Sequence, residues 1–255
     1  MTQNTVLSRS CLITFAQLIC ILLPFSLVAG PPFRTDDPEP VEFHHWEFYG
    51  ASQIMSSPDG LSGTAPHVEV NFGAFQETQI HVIIPLSFNR PRIGNFTYGP
   101  GDIELGVKYR FVNEASSIPQ IGVFPLLKIP SGNAEKNLGS GNTQLFLPGW
   151  LQKSWGPWTS YGGAGYLVDF ASPSSNSWFL GWEGQRDLSR AVTIGAELFS
   201  TLVPSARSEN ELAFSIGAMV NFSEKHHFLI SAGRDIAGHS DLLLYAAYQL
   251  TIGPD

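Results

Sequence analysis

The chain of 255 residues carries 14 Lys and Arg against 22 Asp and Glu, a formal net charge of −8 at pH 7. Charged residues are 14% of the total, against about 25% in ordinary soluble domains, too few to coat a soluble exterior of this size. The acidic balance excludes nucleic acid as a partner, and the length allows one all-β barrel or two small domains.

The first stretch reads as an export signal. Arg9 is the only charge before Arg34, and Cys11 to Ala29 is an almost unbroken apolar run ending in small residues. That is the pattern of a secretory leader over residues 1–30, cut near Ala29 or Gly30. The rival, an uncleaved anchor, is disfavoured by Pro24 and by the interrupting Ser, Thr and Gln residues. A lipidated Cys20 is disfavoured too, because Gln17, Leu18 and Ile19 are not the small residues that precede one. Both cysteines lie in this stretch, so the exported chain is expected in an oxidising compartment without a disulfide framework. Residues 31–42 contain Pro31, Pro32, Pro38 and Pro40. So many residues lacking a backbone donor do not build a ladder, and the segment reads as an extended periplasmic lead-in.

From residue 43 to 253 the chain alternates apolar and polar residues with a period of two, the mark of strands with unlike faces. Ile103 to Phe111 shows it best. Ile103, Leu105, Val107, Tyr109 and Phe111 share one parity; Glu104, Gly106, Lys108 and Arg110 share the other. The same rule places strands over Phe43–Ile54, His67–Phe75, Thr78–Leu86, 101–113, Pro119–Ile129, Thr143–Lys153 and Trp158–Asp169. Five more run through 178–185, 192–198, 212–221, 227–235 and Leu242–Ile252. Connections after even strands are tight, as at Gln76-Glu77. Those after odd strands are longer and rich in Pro, Gly, Ser or Asn, as over 56–65, 89–101, 130–142 and 204–210. Short turns at one end and long loops at the other give the outer-membrane pattern. The expected fold is an all-β, 12-stranded antiparallel transmembrane β-barrel with short periplasmic turns and longer extracellular loops. No segment after residue 30 is apolar enough for a helical span.

Alternation alone does not say which face is inside. A soluble barrel or sandwich would bury the apolar face. The polar face, however, is thin in charge and rich in Gly, Ser, Thr and Asn, a poor soluble exterior and a good lining for a narrow lumen. Trp46, Tyr109, Trp158, Trp178 and Trp182 near strand ends suit aromatic girdles.

Several motifs together resemble a known family. They are Gly30 to Pro38 (Gly-Pro-Pro-Phe-Arg-Thr-Asp-Asp-Pro), His45-Trp46-Glu47, and Gly101 to Phe111 (Gly-Asp-Ile-Glu-Leu-Gly-Val-Lys-Tyr-Arg-Phe). Further ones are Pro119 to Pro125, Pro130 to Gly132, Leu151 to Trp158, and Gly162 to Tyr166. The chain resembles the outer-membrane transporter family named for the meta-pathway of phenol degradation, over most of its length after residue 30. The resemblance implies a Gram-negative outer-membrane barrel passing small, often aromatic, compounds, built by the barrel assembly machinery and seated in outer-membrane lipid. The chain departs from outer-membrane barrels at its end: Ile252 stands where an aromatic residue usually does, and Gly253, Pro254 and Asp255 follow.

On the inward parity the charged candidates for lining a lumen are Glu47, Glu69, His81, Glu104, Lys108, Arg110, Lys128, Glu183 and Glu197. Such charges tune which solutes pass; alternatively they pair and fill a closed interior, and a barrel of twelve strands allows either. Asp36 and Asp37 are better suited to a tail or a plug contact to Lys108 or Arg110 than to a catalytic pair, which needs a fixed separation. His44-His45 and His226-His227 are neighbours in sequence, so in a strand each pair points to opposite faces and cannot share one metal. No histidine is followed two residues later by Ser, the pair an outer-membrane lipid hydrolase would need, and His227 and Ser231 lie about 13 Å apart along one strand. No cofactor or metal is expected, and no enzyme. The reading is an outer-membrane channel for small, possibly aromatic or hydrophobic, solutes. A lipid-modifying enzyme and an adhesion or structural barrel acting through its extracellular loops are the alternatives.

Overall fold

A computed structural model describes residues 32–204, 210–238 and 241–254. The expected leader over residues 1–30 lies outside them. The strands are β1 (Trp46–Ser57), β2 (Gly60–Phe75), β3 (Thr78–Pro91), β4 (Thr97–Pro100), β5 (Ile103–Val112), β6 (Gln120–Val123) and β7 (Leu126–Ile129). They continue as β8 (Gln144–Trp155), β9 (Trp158–Asp169), β10 (Ser177–Ser189), β11 (Val192–Leu202), β12 (Glu211–Asn221), β13 (His226–Ala237) and β14 (Leu242–Ile252).

All pair antiparallel. β4 and β5 lie end to end along β3, and β6 and β7 lie end to end between β5 and β8, so the 14 segments make 12 staves. β14 pairs with β1 from Trp46↔Ile252 to Ser56↔Leu242 and closes the sheet. A closed antiparallel sheet leaves no edge, which is what a strand-built wall in hydrocarbon requires. Ile252 forms the last rung of that seam.

The outward face is the apolar one. Val107, Trp182 and Ile216 are 45%, 52% and 59% exposed, whereas Glu183 and Gln249 are 0% exposed. On β5, Leu105, Val107, Tyr109 and Phe111 face out while Gly106 and Lys108 are buried. A barrel built for water would show the reverse. The only solvent that matches such an exterior is lipid.

Some strand limits differ from those read in the sequence. The stretch 56–65, expected as a loop because of its Pro, Ser and Gly residues, instead continues the ladder. β1 and β2 pair as far as Ser57↔Gly60, leaving only Pro58 and Asp59 in the turn. Pro66 is tolerated because the β2–β3 register shifts between Thr64 and His67, where its missing donor interrupts no rung. The stave expected over 119–129 breaks at Phe124 and Pro125 for the same reason, and Val107 N donates to the Pro125 carbonyl at 3.2 Å. Among the described residues, no helix is long and apolar enough to cross a membrane; the helical pieces are two single turns in loops, at Ala134–Lys136 and Pro173–Ser175.

Candidate functional site within the barrel

Inward-facing side chains surround a stretch of chain that is not part of the sheet. Residues 32–42, read from the sequence as a periplasmic lead-in, run among those side chains, and Thr35 and Asp37 are fully buried. The Pro-rich segment cannot join a ladder, so its polar groups are satisfied by side chains of the wall. Ser231 donates to the Pro32 carbonyl at 2.6 Å. The Phe33 ring lies against Gly195 and Gly217, where an added Cβ would meet it at 2.9 and 2.8 Å. The Arg34 and Thr35 amides donate to the Glu197 carboxylate at 2.8 to 3.1 Å, and Ser215 donates to the same group at 2.7 Å.

On the opposite wall the contacts are ionic. Lys108 Nζ lies 2.9 Å from Asp36 and 3.5 Å from Asp37, and also faces the Phe124 ring at 5.0 Å. Glu39 accepts from Gln120 and Gln152, each at 3.2 Å, and lies 3.7 Å from Arg110. Arg110 also bonds Glu77 at the adjacent turn and donates to Gln120 at 2.9 Å. The Val41 amide donates to Gln79 at 2.9 Å. The segment therefore crosses the interior from the β11–β13 wall to the β3–β8 wall, tied at both sides. Of the two roles expected for Asp36 and Asp37, tail or plug contact, the structure shows contact with Lys108.

The nine candidates fall into two groups. Glu47, Glu69, His81, Glu104, Lys108 and Arg110 gather on the wall from β1 to β5. Glu47 accepts from Tyr49 at 2.8 Å; His81 lies 3.6 Å from Glu69 and 3.5 Å from Glu104 and contacts Asn71 at 2.7 Å. Lys128 is half-buried on β7, directly across the ladder from Glu104. Glu183 and Glu197 oppose each other on β10 and β11. Glu197 is held by the segment, while neither Glu183 oxygen has a hydrogen-bond partner among the described residues.

Sequence reasoning missed an aromatic wall. Phe146, Trp150, Phe179 and Phe199 face inward from β8, β10 and β11. The Phe179 ring lies 6.1 Å from Phe146, 6.2 Å from Trp150 and 6.1 Å from Phe199. The Arg34 guanidinium sits over the Phe199 ring at 4.9 Å. Trp150 Nε1 is buried and has no hydrogen-bond partner among the described residues. Each of these residues breaks the polar parity of its own strand, and that break was the available signal. His227 and Ser231 are engaged separately, His227 with Asn221 at 2.7 Å and Ser231 with Pro32, so they form no dyad. Among the described residues no group of three metal-ligating side chains is placed to hold an ion.

An outer membrane channel from Pseudomonas putida F1 has a similar structure, with a TM-score of 0.71 at 17% identity over 88% of this chain and 100% of that one. KdgM porin, in complex with disordered oligogalacturonate, gives 0.56 at 9% over 80% and 98%. NanC porin gives 0.53 at 9% over 80% and 98%. By fold, this chain is an outer-membrane β-barrel. No family model and no curated protein matches its sequence, so the likeness to these barrels rests on architecture, not on shared residues.

Proposed function

We propose that the protein is a channel of the Gram-negative outer membrane for small solutes, with residues 32–42 standing in the path. The observation that carries this reading is the way the segment is held. It shares no ladder with the wall; it is attached by side-chain hydrogen bonds and by ion pairs at Lys108 and Arg110, so it can move without opening the sheet. The barrels of similar structure are a channel and porins, which supports the same class.

The inner aromatic wall and the resemblance to the phenol meta-pathway family together favour small aromatic compounds. The rings of Phe179 and Phe199, which Arg34 covers in this structure, offer offset or edge contacts to an aromatic solute once the segment moves aside. The acidic groups Glu47, Glu69, Glu104, Glu183 and Glu197 outnumber Lys108, Arg110 and Lys128 along the interior, which disfavours anions and admits neutral or cationic solutes.

Single-channel recording of the folded protein in a planar bilayer tests this. Lys108→Glu places a third carboxylate beside Asp36 and Asp37 and repels the segment. The expected result is stable current steps larger or more frequent than those of the wild type, with added phenol altering them. A correctly folded Lys108→Glu protein whose current is no different from that of the wild type would show that the segment does not control passage.

A further inference from the structure

The outer wall carries a feature unrelated to passage through the lumen. A shallow apolar recess of about 980 Å³ lies on the lipid-facing side, across β10 to β14 and the edge of β1. It arises from the sequence of the outward parity. Ala196 pairs with Ile216 on the next strand, and Ile216 with Ala232 on the strand after. Small and large residues thus alternate across the strands as well as along them. Where the small residues fall, the backbone of Gly195 and Gly217 becomes the floor. These are the glycines that receive Phe33 on the inner side, so the wall there is one backbone thick.

At the short-turn end of the recess stands Arg186. It projects outward, exposed, four residues before Arg190 at the turn. It pairs with Trp158 on one side and Ile194 on the other, and its guanidinium lies 5.0 Å from the Trp158 ring centroid. Among the described residues no carboxylate forms an ion pair with it. A cation on the lipid face near the interface is stabilised by an anion at headgroup depth, and a planar guanidinium matches a phosphate in two-point geometry.

We propose that this recess and Arg186 form a binding site for an anionic glycerophospholipid of the inner leaflet. An acyl chain lies along the furrow that steps from Ala196 through Ala218 to Ala232, past the side of Ile216, and the phosphate group meets Arg186 beside Trp158.

Native mass spectrometry of the purified full chain tests this. The detergent-solubilised protein is offered an equimolar mixture of dioleoyl phosphatidylglycerol and dioleoyl phosphatidylcholine, which differ only in the headgroup. The wild type is expected to retain phosphatidylglycerol in several-fold excess. Arg186→Gln is expected to retain both lipids equally, and Ala232→Phe, which fills the furrow, to lose both several-fold. Heat-modifiable migration on gels confirms that each variant is folded. Equal retention of the two lipids by the wild type overturns the proposal, as does an undiminished phosphatidylglycerol preference in Arg186→Gln or full retention in Ala232→Phe.

Discussion

Lys108 shows how one position carries two demands. Its parity on β5 sends it inward, and its side chain is 4% exposed, so its charge is sustained chiefly by the ion pairs with Asp36 and Asp37. Removing one member of a buried ionic group generally costs about 3–5 kcal/mol, because the other member stays buried and uncompensated. Here the acidic members sit on a segment outside the ladder, so the cost can be relieved by the segment leaving. Lys108→Met is therefore expected to expose residues 32–42 to protease while the barrel keeps its heat-modifiable band; loss of the folded band would instead mean that the contact holds the wall itself. Gly195→Val tests the same attachment without touching charge. Its Cβ would lie 2.9 Å from the Phe33 ring and 2.4 Å from Glu183 Oε1, both movable side chains. Limited proteolysis should find the segment released here too. At this scale the sequence was informative about charge and poor about neutral partners. Asp36, Asp37, Lys108 and Arg110 stand out in the sequence as charges, whereas Gln79, Gln120 and Gln152, which also bond the segment, read there as ordinary inward polar residues.

At the scale of the strand, alternation sets the orientation of each side chain, and the lipid then sets the penalty for breaking it. Ile216 lies in the middle of β12 and is 59% exposed; Leu188 lies beside the turn after β10 and is 55% exposed. Similar exposure in water would predict similar tolerance. In a bilayer, Ile216→Lys is expected to cost about 2–4 kcal/mol and Leu188→Lys about 0–1 kcal/mol, since the penalty for Lys falls from midplane to interface. Urea titration of folding into phosphocholine vesicles measures both, and equal penalties would contradict a wall that spans the membrane in this register. The staves themselves were legible because a period of two persists over nine or more residues, as from Ile103 to Phe111. Their ends were not. Gly60 to Gly63 reads as loop because glycine and serine are turn residues, yet a hairpin already paired in the membrane continues its hydrogen bonds upward without needing apolar side chains. Phe124-Pro125 looked like mid-strand because its flanks keep the alternation, while the missing proline donor splits the stave.

For the whole molecule, closure and filling are separate problems. Closure depends on pairing that the alternation encodes, ending at Trp46↔Ile252. Filling depends on which distant segment meets which wall, and no local pattern encodes that; Pro32 and Ser231 meet across 199 residues of sequence. The proposed channel requires the two to be separable, and a reversible tether decides it. An added Cβ at Gly181 falls 2.2 Å from Thr35 Oγ1, near enough for cysteines at these two positions to join with a shift of under about an ångström. Cys11 and Cys20 are the chain's only cysteines, so replacing both with Ser leaves the engineered pair alone. In the Lys108→Glu background, where repulsion favours an open lumen, Thr35→Cys with Gly181→Cys should silence the current when oxidised and restore it on reduction. Current that persists in the fully oxidised protein would mean solutes pass beside the segment, and that the side chains around it, rather than its position, set the permeability.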